Sequence, residues 1–153
     1  EMCIKDRVHS AVMASILAGL PGLSVRLAVF DTTVVDLSHL VDDPVEVLMT
    51  SQLGGGTDIA NAVGYAAEAV TSPSRTIVTV ISDFQEGGSV STLVKRVHDL
   101  VAQGITVLGL ASLGDEGRVW YDHDVAERLS EVGMRIAAMT PDRFATWLAE
   151  ATA

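Results

Sequence analysis

Thr76-Ile77-Val78-Thr79-Val80-Ile81-Ser82-Asp83 decides the fold. Six consecutive β-branched residues give a strand with no solvated face. Such a strand is at home inside a parallel sheet covered by helices on both sides. The run stops at Ser82-Asp83, so a carboxylate is set at the strand's carboxyl end. In open α/β sheets, ligands gather beyond that end of the strands.

Downstream of this stretch the pattern alternates. Ser91 to Gln103 reads as a helix closed by Gly104, and Ile105 to Ala111 as a second apolar strand. Leu113 to Tyr121 is a loop, Asp124 to Val132 a helix ending at Gly133, and Met134 to Met139 the last strand. Thr140-Pro141 opens a final helix running to about Ala151. Upstream, Gly54-Gly55-Gly56 is a loop, and Thr57 can cap a helix over Asp58 to Val70 that ends at Thr71-Ser72-Pro73-Ser74. Val8 to Leu20 has helical apolar spacing and stops at Pro21-Gly22. Val25 to Phe30 and Thr32 to Leu37 are close enough to form a hairpin around Asp31 and Thr32. Asp43-Pro44-Val45-Glu46 has the cap, the proline and the acid of a helix start, with the helix reaching about Ser51. The fold class is therefore α/β, a doubly wound, mostly parallel open sheet in one domain.

Composition agrees. Of 153 residues, 48% are hydrophobic but only 5% aromatic, so the core is aliphatic. A formal net charge of −10 repels phosphate backbones and argues against nucleic acid. Lys and Arg are scattered, with no basic cluster for a membrane surface. No apolar run approaches the ~20 residues of a membrane span. Cys3 is the single cysteine, too few for an intrachain disulfide or a cysteine zinc cluster. The setting expected from these features is cytoplasmic.

Gly54-Gly55-Gly56-Thr57-Asp58 allows close backbone approach and offers a neutral hydroxyl. It lacks the Gly-Lys-Ser/Thr of a phosphate-binding loop. It also lacks the strand-glycine-helix context of a dinucleotide fingerprint. A hard cation held by hydroxyl and carboxylate oxygens suits the loop, and so does a plain turn with Thr57 as helix cap. Adding Asp83 from the next strand makes a metal site the more specific reading.

Taken together, Arg26-Leu27-Ala28-Val29-Phe30-Asp31, Gly54-Gly55-Gly56-Thr57-Asp58-Ile59 and Ile81-Ser82-Asp83 resemble a von Willebrand factor A domain. The likeness is to the bacterial intracellular, CoxE-like type. Val107-Leu108-Gly109-Leu110 and Met139-Thr140-Pro141-Asp142 are similar to that group's late strands and last helix. The resemblance implies a protein-interaction domain rather than an enzyme. It also implies a metal-ion-dependent adhesion site for Mg²⁺ or Mn²⁺, completed by an acidic side chain of a protein partner, often a MoxR-type AAA+ ATPase. By match, Thr57 is the second-loop ligand and Asp83 the third-loop ligand. Gly56, Asp58, Ser82 and Glu86 are possible outer-shell groups. The family's first loop, Asp-x-Ser-x-Ser, has no counterpart here, and Asp6 and Ser10 have the wrong spacing to replace it. Glu1 to Arg7 resembles translated sequencing adapter. The family-like domain is accordingly expected over residues 8–153, incomplete at its N-terminal side and lacking its first, central strand. The strands at Val25 and Arg75 would then lose their shared neighbour. Such a chain is expected to be unstable or to aggregate, and its Mg²⁺ or Mn²⁺ binding to be weak or absent.

Two enzyme-like patterns compete. Phe30-Asp31-Thr32-Thr33-Val34 is similar to the nucleophile motif of haloacid-dehalogenase-like phosphatases, but Thr33 stands where their acid should be. A phosphoacceptor receiver domain using Asp83 needs a late Lys, and Gly109-Leu110-Ala111 has none. His9, His39, His98 and His123 form no ligand spacing.

Overall fold

The computed structural model describes Gly22 and residues 24–40, 43–50, 57–111, 121–138 and 141–152. The expected helix at Val8 to Leu20, the glycine loop Gly54 to Gly56 and most of the loop before Tyr121 lie outside the described residues. Two sheets are present. Strands β1 (Ala28–Phe30) and β2 (Val34–Asp36) form an antiparallel hairpin, with Phe30 opposite Val34. Strands β3 (Ile77–Ile81), β4 (Thr106–Ala111) and β5 (Arg135–Ala138) form a parallel sheet in the order β3-β4-β5. Among the described residues no ladder joins β1 to β3, so each shows an edge without a strand partner there.

The helices fall where caps and breakers put them. Helix α1 (Pro44–Thr50) opens on its proline, and the Asp43 carboxylate accepts from the Glu46 amide at 3.1 Å. Helix α2 (Ile59–Ala69) ends ahead of the turn at Pro73–Arg75. Helix α3 (Val90–Ala102) is capped by Ser89 and released by Gly104 at φ +92°. Helix α4 (His123–Glu131) is capped by Asp122 and released by Gly133 at φ +105°. Helix α5 (Pro141–Thr152) closes the chain's described part. Glycine suits both release points because L side chains strain at positive φ.

Strands β3 and β4 send side chains to both faces of the sheet. Val78, Val80, Val107 and Ala111 pack with Ile59 and Val63 of α2, Leu93, Val97 and Leu100 of α3, and Val125 and Leu129 of α4. On the opposite face, Leu108 and Leu110 meet Phe144 of α5, flanked by Ile77, Ile81 and Trp147. Burying each such aliphatic side chain contributes about 1.5–3 kcal/mol. The hairpin has its own small core, Leu37 and Val47 with Leu27, Val29 and Leu40 around them.

One local expectation changes. Thr57 does not cap α2. The helix begins at Ile59, and the cap is Asp58, whose carboxylate accepts from the Asn61 amide at 2.9 Å. In the segment after β3, Phe84 is fully buried.

Candidate functional site

The carboxyl ends of β1 and β3 and the start of α2 meet through the backbone. The Asp58 amide donates to the Asp31 carbonyl at 2.8 Å, and the Gly87 amide donates to the Thr57 carbonyl at 2.8 Å. The Asp122 amide donates to the Asp83 carbonyl at 2.9 Å. Four loops, at Asp31, Thr57, Asp83 and Asp122, are thereby tied at one edge of the molecule.

Asp83 owes its position to its neighbour. Phe84 sits at φ +61°, a left-handed conformation that costs a non-glycine residue roughly 1–2 kcal/mol. That turn drives its ring into the core beneath β4. A Cβ on Gly109 would lie 2.8 Å from the Phe84 ring, so only glycine there makes room for it. The Ser82 hydroxyl accepts from the Phe84 amide at 3.1 Å, and Asp83 Oδ1 accepts from the Gln85 amide at 3.0 Å. The half-buried Asp83 carboxylate is held from one side, and Oδ2 makes no hydrogen bond among the described residues.

Since Asp58 is the cap, the Thr57 hydroxyl has no capping task. It too makes no hydrogen bond among the described residues. A neutral hydroxyl and a carboxylate oxygen, both uncommitted on tied loops, suit a hard divalent cation. Among the described residues no group of three His, Cys, Asp or Glu converges on a point. Any cation here would thus rely on Thr57, Asp83 and oxygens from elsewhere.

The remaining expected residues have definite tasks. Glu86 Oε1 accepts from the Ile59 amide at 3.2 Å and from Gly88 at 3.1 Å, while Oε2 accepts from Ala60 at 2.9 Å. With Asp58 on Asn61, the first three amides of α2 are all taken by carboxylates. A helix start so filled has no donors left for phosphate. Ser82 braces the Phe84 turn, and Gly56 lies outside the described residues. Asp31, the nucleophile of the phosphatase alternative, is 7% exposed and turned onto Thr33, with Oδ1 accepting its amide at 2.7 Å and its hydroxyl at 3.1 Å. Nothing in this arrangement favours that alternative. His39, His98 and His123 are exposed and far apart in sequence, although the His123 ring packs at a tilt of 42° against Tyr121 with ring centroids 4.1 Å apart.

Behind the site, Tyr65 of α2 reaches the hairpin. Its hydroxyl donates to Asp36 Oδ2, which also receives Arg26 at 3.3 Å, and the Ser38 amide donates to Asp36 Oδ1 at 2.9 Å. The hydrogen bonds from Ser38, then from Tyr65, hold the Asp36 carboxyl well below the usual carboxylate range. The same bond to Asp36 pushes the Tyr65 hydroxyl up.

Among the described residues no helix is long and apolar enough to cross a membrane. Comparison with known proteins agrees with the fold. The chain is 52% identical over 143 residues to the Escherichia coli (strain K12) protein YehP, a match covering 94% of this chain and 38% of that relative. It therefore spans less than two fifths of the length of that relative. Two solved structures share the fold. An aerotolerance-related membrane protein from Bacteroides fragilis matches with a TM-score of 0.70 at 15% identity, over 96% of this chain and 86% of that one. BatB from Bacteroides thetaiotaomicron matches with a TM-score of 0.61 at 16% identity, over 94% and 87%. The family model described as "VWA domain containing CoxE-like protein" matches residues 3–148, nearly the whole chain, and the chain belongs to that family.

Proposed function

We propose that this domain binds a protein partner through a divalent cation, with Thr57 and Asp83 as its contributions to the coordination shell. The observation that carries the reading is the pair of uncommitted oxygens, Thr57 Oγ1 and Asp83 Oδ2, on loops joined by the 2.8 Å bond from Gly87 to Thr57. A bound Mg²⁺ or Mn²⁺ would supply a positive point that an acidic side chain of the partner can complete. Asp83 would contribute the negative charge and Thr57 a neutral oxygen, which leaves the ion electron-poor enough to attract that acid. A MoxR-type AAA+ ATPase is the partner class proposed, met in the cytoplasm. The role is binding, with no bond made or broken by the chain.

Calorimetric titration with Mn²⁺ tests this. The chain should bind the ion weakly, because Thr57 and Asp83 provide few of the oxygens an octahedral shell needs. Asp83→Ala should abolish the heat, and Thr57→Val should weaken binding by about tenfold, the loss of one ligand oxygen. Equal binding by the unsubstituted chain and Asp83→Ala would sink the reading.

A further inference from the structure

Glu86 lies three residues beyond Asp83, and its carboxylate partners lie 26 and 27 residues upstream, at Ala60 and Ile59. The residue therefore bridges the two loops on which the proposed site depends. The next residue reinforces the bridge. Gly87 donates to the Thr57 carbonyl, and a Cβ on Gly87 would lie 2.6 Å from that oxygen. Only glycine permits this approach, so the contact is specified by sequence as well as by hydrogen bonding. On the far side, the buried Phe84 ring fixes the start of the same loop. Asp83 is thus followed by two anchors of its loop, an apolar one at the next residue and a charged one two residues further on.

The charged anchor is strong for a physical reason. Its two oxygens accept the first two free amides of α2, where the helix dipole favours negative charge. The carboxylate of an ordinary cap such as Asp58 satisfies only its own helix. Glu86 satisfies another element's helix, so its charge holds two loops rather than one.

We infer that Glu86 is the positioning residue that sets the Asp83 loop against the Thr57 loop, holding both in the arrangement the cation requires. The consequence for metal rests on the reading proposed above, whereas the clamp itself does not. Amide hydrogen exchange of the metal-free chain, followed by NMR, separates the two. In Glu86→Ala, exchange should quicken about tenfold at Ile59 and Ala60, which lose their acceptor, and also at Gly87, which bonds to Thr57 and not to Glu86. Glu86→Gln retains one acceptor oxygen and should give about a threefold change. Asp58→Ala frays the same helix turn and should leave Gly87 protected. Quickening at Ile59 and Ala60 with Gly87 unchanged would reduce Glu86 to a helix cap and overturn the inference. So would an Asp58→Ala effect at Gly87 as large as that of Glu86→Ala. In Mn²⁺ titration, Glu86→Ala should weaken affinity about tenfold with Glu86→Gln intermediate, and unchanged affinity would overturn the positioning role. If the unsubstituted chain fails to bind Mn²⁺, the metal reading falls, and the Gly87 amide still decides the clamp.

Discussion

The β3-β4-β5 sheet and the β1-β2 hairpin are held by different physics. The sheet is buried on both faces at its central strand β4, and its cluster draws on three helices, with Phe84, Leu93, Val97 and Leu129 shielded completely. The hairpin packs on a core of two buried apolar residues, Leu37 beside β2 and Val47 of α1, and leaves Val35 of β2 exposed along with Val45 and Met49 of α1. Polar stitches supply the rest: Ser38 with the Leu27 backbone, Asp36 with Ser38 and Arg26, Tyr65 with Asp36, and Asp58 with Asp31. Burial gives many small contacts that no single change removes, whereas a polar stitch depends on two atoms and on pH. The candidate site lies on the seam. Asp83 is rooted in the well-buried sheet, and Thr57 is tied on one side to the sheet's loop and on the other, through Asp58, to the hairpin.

Unfolding in urea should expose the contrast. Phe84→Ala removes a fully shielded ring and leaves a cavity under Gly109, with an expected cost of about 3–5 kcal/mol. Leu37→Ala should cost about 2 kcal/mol, the low end for such truncations, because the partly exposed Leu27, Val29 and Leu40 can close over the gap. Equal costs would show that the hairpin is packed as firmly as the sheet, and the distinction would fail.

The same contrast governs what the sequence reveals. The continuous run of β4 announces its depth, whereas the equally apolar β3, expected to have no solvated face, is buried only at Val80, because it lies at the edge of the sheet among the described residues. The hairpin was legible too, though the ladder covers only Ala28–Phe30 and Val34–Asp36, with one further bond from Leu37 to Leu27 at 2.8 Å beyond it. At the site, Thr57 and Asp58 are adjacent residues that both make good caps, and only the position of the first helical turn assigns the task to Asp58. Phe84 was not legible as an anchor, since its burial depends on Gly109, a residue on another strand. A lone aromatic in a polar loop after a strand is the signal that could have marked it. Glu86 was expected near the site but not in its actual role, because its partners are distant in sequence. Long-range partners are what a local pattern cannot contain.

The smallest expected effect is the sharpest test of the hairpin's dependence on charge. Asp36 is held below the ordinary aspartate value of 3.8 by Ser38, Tyr65 and Arg26. A carboxylate whose pKa is lowered by folding adds stability above its unfolded pKa, and that contribution is lost as pH falls toward the folded value. Asp36→Asn should therefore lower the melting temperature slightly at pH 7, and the gap to the unsubstituted chain should close as pH drops below about 4. The effect stays small because Asp36 is a third exposed and water screens its partners. Raising the salt should trim the Arg26 share and leave the Ser38 and Tyr65 hydrogen bonds, so the gap at pH 7 narrows without vanishing. Tyr65→Phe should flatten part of the same pH dependence, since it removes the one donor that reaches Asp36 from α2. A gap that does not change with pH would mean that Asp36 acts through shape alone, and the hairpin would then be attached to α2 by the same kind of force that holds the sheet.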